Sequence, residues 1–253
     1  MRIDDSRQIF EERVGEIGEF LDFIGATTSE VGRARITPTQ QRILFSTIYL
    51  LLYNLIESTI AKSTQAIVEH MIEDGSWTLA DLSDEMLVEW TRSNAKTHME
   101  MNYERRLEDT AAVIKEAFGG GALRAFRIDK GGGGNWDDEE IYKFVTKRIG
   151  MAFDISPETN AMVKRPVIER QSIMKAIVSM RNSMAHGDLS FSECGSNVTI
   201  EDLQDYVNRV ISYLRETIDS FERYIVNYAY LKPDSRPATD MGEGSDGANA
   251  ENI

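Results

Sequence analysis

The sequence predicts an all-α fold, a helical bundle, and three observations carry that prediction. Apolar residues recur at helical spacing through most of the 253-residue chain. Glycine, proline and capping residues punctuate those stretches. No strand–helix–strand alternation and no convincing internal repeat is present.

The first helix is expected over residues 5–24, where Ile9, Phe10, Ile17, Phe20, Leu21 and Ile24 form an apolar stripe. Thr27, Thr28, Ser29 and Pro38 break it. Thr37 then reads as an N-cap, with Pro38 at the first helical position. The helix it starts runs over about 38–73 and stops near Asp74 and Gly75. Its middle, Ile43 to Ile56, is apolar on nearly all faces. That run is too short to span a bilayer and has Asn54 and Glu57 at its end, so it reads as a buried core helix.

A short helix over 79–90 has Asp84 and Glu85 early in it, and a longer one covers about 93–118 until Gly119, Gly120 and Gly121 end it. An irregular stretch follows, closing on the glycines at 131–134 and Asn135. Asn135 is expected to cap a helix over 136–149, with Asp137, Asp138, Glu139 and Glu140 in its first turn. Residues 167–185 form the next helix, 192–199 are turn-like, and Thr199 or Glu201 opens a final helix reaching about Leu231. The division expected is an N-terminal helical extension (1–37), a helical domain (38–232) and a disordered acidic tail (233–253).

Charge and composition narrow the function. The single cysteine, Cys194, excludes an internal disulfide framework and fits a reducing cytoplasm. The polar N-terminus lacks a signal-peptide pattern, so a cytoplasmic location and no membrane partner are expected. A net charge of −14 argues against the broad basic footprint of a nucleic-acid binder. Any RNA contact must therefore be local, in a cleft with its own cations. The acidic body equally suits a basic partner protein.

The segment Arg181-Asn182-Ser183-Met184-Ala185-His186-Gly187 is the strongest chemical signal. On an uninterrupted helix, Arg181 and His186 would stand about 140° apart. The pattern makes sense if the helix ends at His186 and Gly187 takes a left-handed cap. His186 can then turn toward a cleft, and the negative end of the helix dipole favours a cationic imidazole there. RNA cleavage without a metal needs a base for the 2′-OH, a cation for the phosphate oxygens and an acid for the leaving oxygen. Histidine suits the first and last roles; the planar fork of arginine suits the second. Arg92 and His98 imitate the pair at a spacing one residue longer, but in a polar stretch with no glycine stop.

This segment resembles the R-x4-6-H signature of the HEPN superfamily, in the form of its RiboL-PSP/MAE-type branch. Leu51 to Glu57, with Tyr53 and Glu57 four residues apart, resembles the first core helix of that branch. Gly134 to Ile141, leading to Arg148, Ile149 and Gly150, resembles the segment before its penultimate helix. The resemblance covers roughly 38–230. It implies an all-α fold, a homodimer with two motifs facing each other, and metal-independent endoribonuclease activity in toxin–antitoxin or antiviral systems. It makes Arg181 the phosphate ligand, His186 the acid or base, and Asn182 the residue that positions them. Glu57 either orients Arg181 or His186, or is a helix ion-pair or solvated carboxylate. An antitoxin or defence-system protein is the implied partner beside RNA. The subtype controlled by a nucleotidyltransferase antitoxin has a tyrosine three residues after the histidine; Leu189 stands there instead. Some HEPN domains only bind RNA or proteins, which leaves a non-catalytic accessory module as the alternative.

No cofactor or metal is expected. The glycine runs at 119–121 and 131–134 lack the Gly-Lys-Ser/Thr of a phosphate loop. His70 and His98 lack partners at metal-ligand spacing. Trp77, Trp90 and Trp136 read as packing or loop residues. Arg105 with Arg106, and Lys147 and Arg148 with Lys164 and Arg165, are candidates for local positive charge, with solvated helix faces as the default.

Overall fold

The computed structural model describes residues 3–28, 36–73, 75–94, 102–123, 126–128 and 135–237. These residues contain the helices α1 (Ile3–Thr28), α2 (Pro38–Glu73), α3 (Asp84–Asn94), α4 (Tyr103–Phe118), α5 (Asp138–Lys143), α6 (Pro157–Lys164), α7 (Ile173–His186), α8 (Phe191–Cys194) and α9 (Ile200–Val226). No strand occurs among the described residues, and Leu82 and Leu231 form an isolated antiparallel bridge. The chain is all-α, as its sequence predicts.

The central helix predicted over 38–73 is the axis of the fold. Thr37 Oγ1 accepts from Gln40 N at 3.2 Å and Gln40 Oε1 accepts from Thr37 N at 2.8 Å. This reciprocal box satisfies two backbone donors at the helix start. From Phe45 to Met71 the helix buries Ile48, Tyr49, Leu52, Tyr53, Leu55, Ile56, Ile60 and Ile67 among others. Helices α1, α7, α8 and α9 pack directly around it. The whole helix, at 36 residues, is much longer than its most apolar run and would cross a membrane by length and composition alone. More than half of its apolar window (56%) is buried, so packing within the fold accounts for most of that hydropathy.

Helix α9 presents Leu203, Val207, Val210, Leu214, Ile218, Phe221 and Ile225 to the core from one face. Helix α1 lies on both α2 and α9. Arg7 bonds Asp219 at 2.7 Å and Glu222 at 2.6 Å, and Arg215 grips Glu11 at 2.9 and 2.8 Å. Half-exposed pairs such as these fix register more than they stabilise.

Several boundaries differ from expectation. The helix expected over 93–118 is divided: α3 ends at Asn94, and α4 starts at Tyr103, where Asn102 Oδ1 caps Arg105 N at 2.9 Å. The cap of α5 is Asp137, which accepts from Glu140 N at 2.9 Å, and Asn135 is left for another role. After α5 the chain widens into a π-turn over Phe144–Arg148, with Ile149 N bonding Phe144 O at 3.2 Å. The helix expected from 167 begins at Ile173, because Ser172 caps it and a left-handed corner at Glu169 and Arg170 precedes it. Within 192–199, Ser190 and Glu193 form a capping box that winds Phe191–Cys194 into α8. Helix α9 stops at Val226 because Tyr228 turns left-handed (φ 49°) and tucks Tyr230 and Leu231 into the core. Beyond it Ser235 Oγ bonds Asp81 Oδ1 at 2.9 Å and Arg236 Nε bonds Leu231 O at 3.1 Å. The expectations placed on Ser29, Asp74, His98, the glycines at 131–134 and the tail from 238 lie outside the described residues.

Candidate active site

Helix α7 stops where the glycine predicts. Gly187 has φ 77° and ψ 14°, the left-handed geometry that a side chain disfavours. Gly187 N–H donates to Met184 O at 3.4 Å and Asp188 N–H donates to Ser183 O at 2.9 Å. Those two bonds form a Schellman closure, which satisfies carbonyls the helix would otherwise leave open. His186 is thereby the last helical residue and is exposed. It makes no hydrogen bond or ion pair among the described residues. Both free ring nitrogens are therefore available to an incoming ligand.

Arg181 lies five residues earlier, about 7.5 Å along the axis and about 140° around it. It is directed inward, toward α2. Its guanidinium carbon stands 4.6 Å from the centre of the Tyr53 ring. Its Nη1 donates to Asn182 Oδ1 at 2.8 Å. The side chain of Asn182 in turn donates through Nδ2 to Asn135 Oδ1 at 3.0 Å. The structure thus brings Arg181 and Asn182 together and adds two residues, Tyr53 and Asn135, to the group. Arg181 keeps further N–H donors with no protein acceptor among the described residues. An arginine held on one face by a ring and at one edge by an amide is preorganised to bind an anion at its remaining edge.

Tyr53 is almost fully buried, yet its hydroxyl has no hydrogen-bond partner among the described residues. Burial pushes the phenol up and the Glu57 charge adds to this, while Arg181 opposes both. It is the ring of Tyr53, not its hydroxyl, that meets Arg181. Glu57 stands one turn further along α2. It lines a groove of about 520 Å³ between α1 and α2 with Arg13, Glu16 and Lys62. It bonds neither Arg181 nor His186 among the described residues.

Sequence reasoning gave Tyr53 only as part of a pattern and assigned Asn135 to a helix cap. The available signal for Tyr53 was a phenol within the core run, and Tyr49 shares that signal. Nothing local distinguishes Asn135 from a capping residue, since its partner is 47 positions away.

Two members of the expected basic clusters, Arg148 and Arg165, are committed elsewhere. Arg148 grips the buried Glu89 at 2.9 and 2.6 Å, and Arg92 also pairs with Glu89. Arg165 bonds both oxygens of Asp205, at 2.8 and 3.0 Å. His70 Nδ1 lies 2.8 Å from the Tyr230 hydroxyl, within a cluster of tyrosine rings. No three His, Cys, Asp or Glu side chains gather as metal ligands among the described residues.

A family model described as MAE_28990-like HEPN matches residues 4–230. The chain belongs to this HEPN family. The match takes in α1 as well as the segment from 38 on which the motif resemblance rested. No curated protein and no solved structure is matched. HEPN membership points in general to a nuclease or RNA-related role.

Proposed function

We propose that this HEPN protein is a metal-independent endoribonuclease acting through Arg181 and His186. The observation that carries the proposal is the Arg181 guanidinium, seated on Tyr53 and tied to Asn182 with donors left over, on the same helix as the unpaired His186. In the reaction the 2′-oxygen attacks the adjacent phosphorus and the 5′-oxygen leaves. A base removes the 2′-OH proton, and an acid delivers a proton to the departing oxygen. The products are a 2′,3′-cyclic phosphate and a 5′-hydroxyl. Arg181 stabilises charge on the non-bridging oxygens, and His186 transfers the protons. Asn182 holds Arg181 in position; Glu57 acts on the group only through its charge near Tyr53. DNA lacks the attacking hydroxyl and is not a substrate.

One chain offers one histidine in the motif. A homodimer with two-fold symmetry would supply the second, so that acid and base are present together. The biological setting proposed is a cytoplasmic toxin or antiviral effector restrained by a partner protein. A net charge of −14 favours a second reading, a non-catalytic module that binds RNA or protein.

Incubation of labelled RNA with the full chain in EDTA separates the two. Cleavage by wild type that leaves cyclic phosphate ends, and is lost in His186→Ala and Arg181→Ala, is the expected result. Inert wild type, or variants that cut equally well, would remove the nuclease reading from this site.

A further inference from the structure

Helix α5, the segment from Phe153 to Ile155, helix α6 and helix α9 line a cavity of about 400 Å³ that the candidate site does not use. That volume lies within the range of small-ligand sites. Its apolar side is a corner of three rings. Tyr142 and Phe153 stand 6.3 Å apart at 59°, and Phe153 and Tyr213 stand 6.1 Å apart at 76°. Tyr142 is half exposed, so its ring borders both the cavity and solvent.

The polar side of the cavity carries both signs of charge. Asp138 is buried, yet it lines the cavity. Ser172 Oγ donates to its Oδ1 at 2.8 Å, and Oδ2 has no partner among the described residues. An ionised carboxylate only accepts hydrogen bonds, at about four sites, so a buried one facing a cavity calls for donors from a ligand. Lys164 lines the same cavity without an ion-pair partner among the described residues, whereas Lys143 is paired with Glu140 at 2.7 Å.

A ligand that suits these walls is planar and aromatic and carries donors beside an acceptor. Among the RNA bases, guanine alone sets two adjacent donors, N1–H and the N2 amino group, next to an acceptor, O6. Adenine and cytosine set a ring acceptor beside their amino group, and uracil flanks one donor with two carbonyls. The rings stack the base, Asp138 takes the two donors, and Lys164 takes O6 or a phosphate. A purely cationic ligand would meet Lys143 and Lys164 in the cavity, which disfavours it despite the rings.

The position of the cavity agrees. Asp138 bonds Ser172, the cap of α7, and Asn135 bonds Asn182 on the same helix. Ser172 and Asn182 are ten residues apart, about 15 Å along the axis. A short stretch of single strand spans that distance. We infer that this cavity is a guanine-binding subsite for single-stranded RNA, which reads the base through Asp138 and stacks it on Tyr142. The inference rests on RNA being the ligand of the proposed function, but not on its cleavage.

Binding titrations of the full chain in EDTA test it. The probes are short labelled RNA strands with 2′-O-methyl groups throughout, which lack the attacking hydroxyl. A strand with one guanine among adenines should bind about tenfold more tightly than the all-adenine strand. Asp138→Asn keeps an acceptor for Ser172 and turns the free site into a donor. It should abolish that preference and leave the adenine strand bound as before. Tyr142→Ala should weaken the guanine strand about tenfold, with helical circular dichroism and thermal midpoint as in wild type. Guanosine monophosphate should bind far more weakly than the strand. Equal affinity for the two strands, a preference that survives in Asp138→Asn, or unchanged binding by Tyr142→Ala overturns the inference. Guanosine monophosphate bound as tightly as the strand would assign the cavity to a free nucleotide. A strand displaced by tetramethylammonium at constant ionic strength would assign the rings to a cation. Either result overturns the inference too. Absence of cleavage in the ribonuclease assay leaves these titrations unaffected, so the two readings fail separately.

Discussion

The Arg181 guanidinium lies over the face of the buried Tyr53 ring, 4.6 Å from its centre. The ring belongs to the central helix and the arginine to the motif helix, so this contact ties the candidate site to the core. A guanidinium over an aromatic face gains about 0.5–2 kcal/mol, more as water is excluded. Tyr53→Phe keeps that face and removes a hydroxyl that has no partner among the described residues. It should leave RNA cleavage within about twofold and leave stability unchanged or slightly raised. Tyr53→Leu removes the face and should lower phosphate or RNA binding and cleavage together. Equal behaviour of Phe and Leu variants in binding titrations would show that the ring does not position Arg181.

Two glycines separate conformational strain from steric exclusion. A side chain at Gly187 would meet no atom within 4 Å, so Gly187→Ala carries only the left-handed backbone cost, about 1–2 kcal/mol. A Cβ at Gly195 would overlap the Arg42 carbonyl, because α8 sits flush on the first turns of α2. Gly195→Ala should therefore cost about 3 kcal/mol or more. Chemical denaturation of both variants should rank them in that order.

Glu89 is a buried carboxylate, gripped by Arg148 through both oxygens and paired with Arg92 as well. Removing one member of such a group leaves charge uncompensated. Glu89→Ala should destabilise by about 3 kcal/mol, tempered by the access of Arg148 to water. Adding Arg148→Met to Glu89→Leu should recover part of the loss. Strictly additive losses in that double-variant cycle would contradict the pairing.

Stability should fall in acid through Glu216. Burial pushes its carboxyl up, but hydrogen bonds from Thr159 Oγ1 at 2.6 Å and from Ser156 N and Oγ at 2.6 and 2.8 Å outweigh burial. The net effect holds it below the usual carboxylate range. A depressed folded-state value means the contribution is complete above the ordinary glutamate range. It is lost as pH falls through the depressed value. The group joins the start of α6 to α9, so Glu216→Gln should lower the thermal midpoint at neutral pH and flatten its decline in acid. A midpoint profile parallel to wild type would rule Glu216 out as a contributor.

Much of the fold was legible because it rests on local rules. Apolar periodicity marked α1 and α9, a run apolar on nearly all faces marked α2, and Thr37 and Gly187 stood at their expected caps. The errors fall where a distant partner decides. Asn135 looked like a cap, but Asp137 capped α5 and Asn135 met Asn182. Arg148 and Arg165 were candidates for local positive charge, with a solvated helix face as the default, but Glu89 and Asp205 hold them. Leu231 looked helical, but the core takes it after a left-handed turn at Tyr228.

By itself the sequence determined the helical class, the central helix, the stop at Gly187 and the placing of Arg181, Asn182 and His186 in one motif. Spacing, capping and backbone preference act over a few residues, so a single chain records them directly. Only the tertiary structure decided what Arg181 rests upon. Tyr53 lies 128 positions before Arg181, and Asn135 lies 47 before Asn182; packing of α7 on α2 supplies the first contact. It also decided that Tyr103, Leu107, Ile114 and Phe118 of α4 stay exposed among the described residues, because an amphipathic pattern does not say what its apolar face packs against.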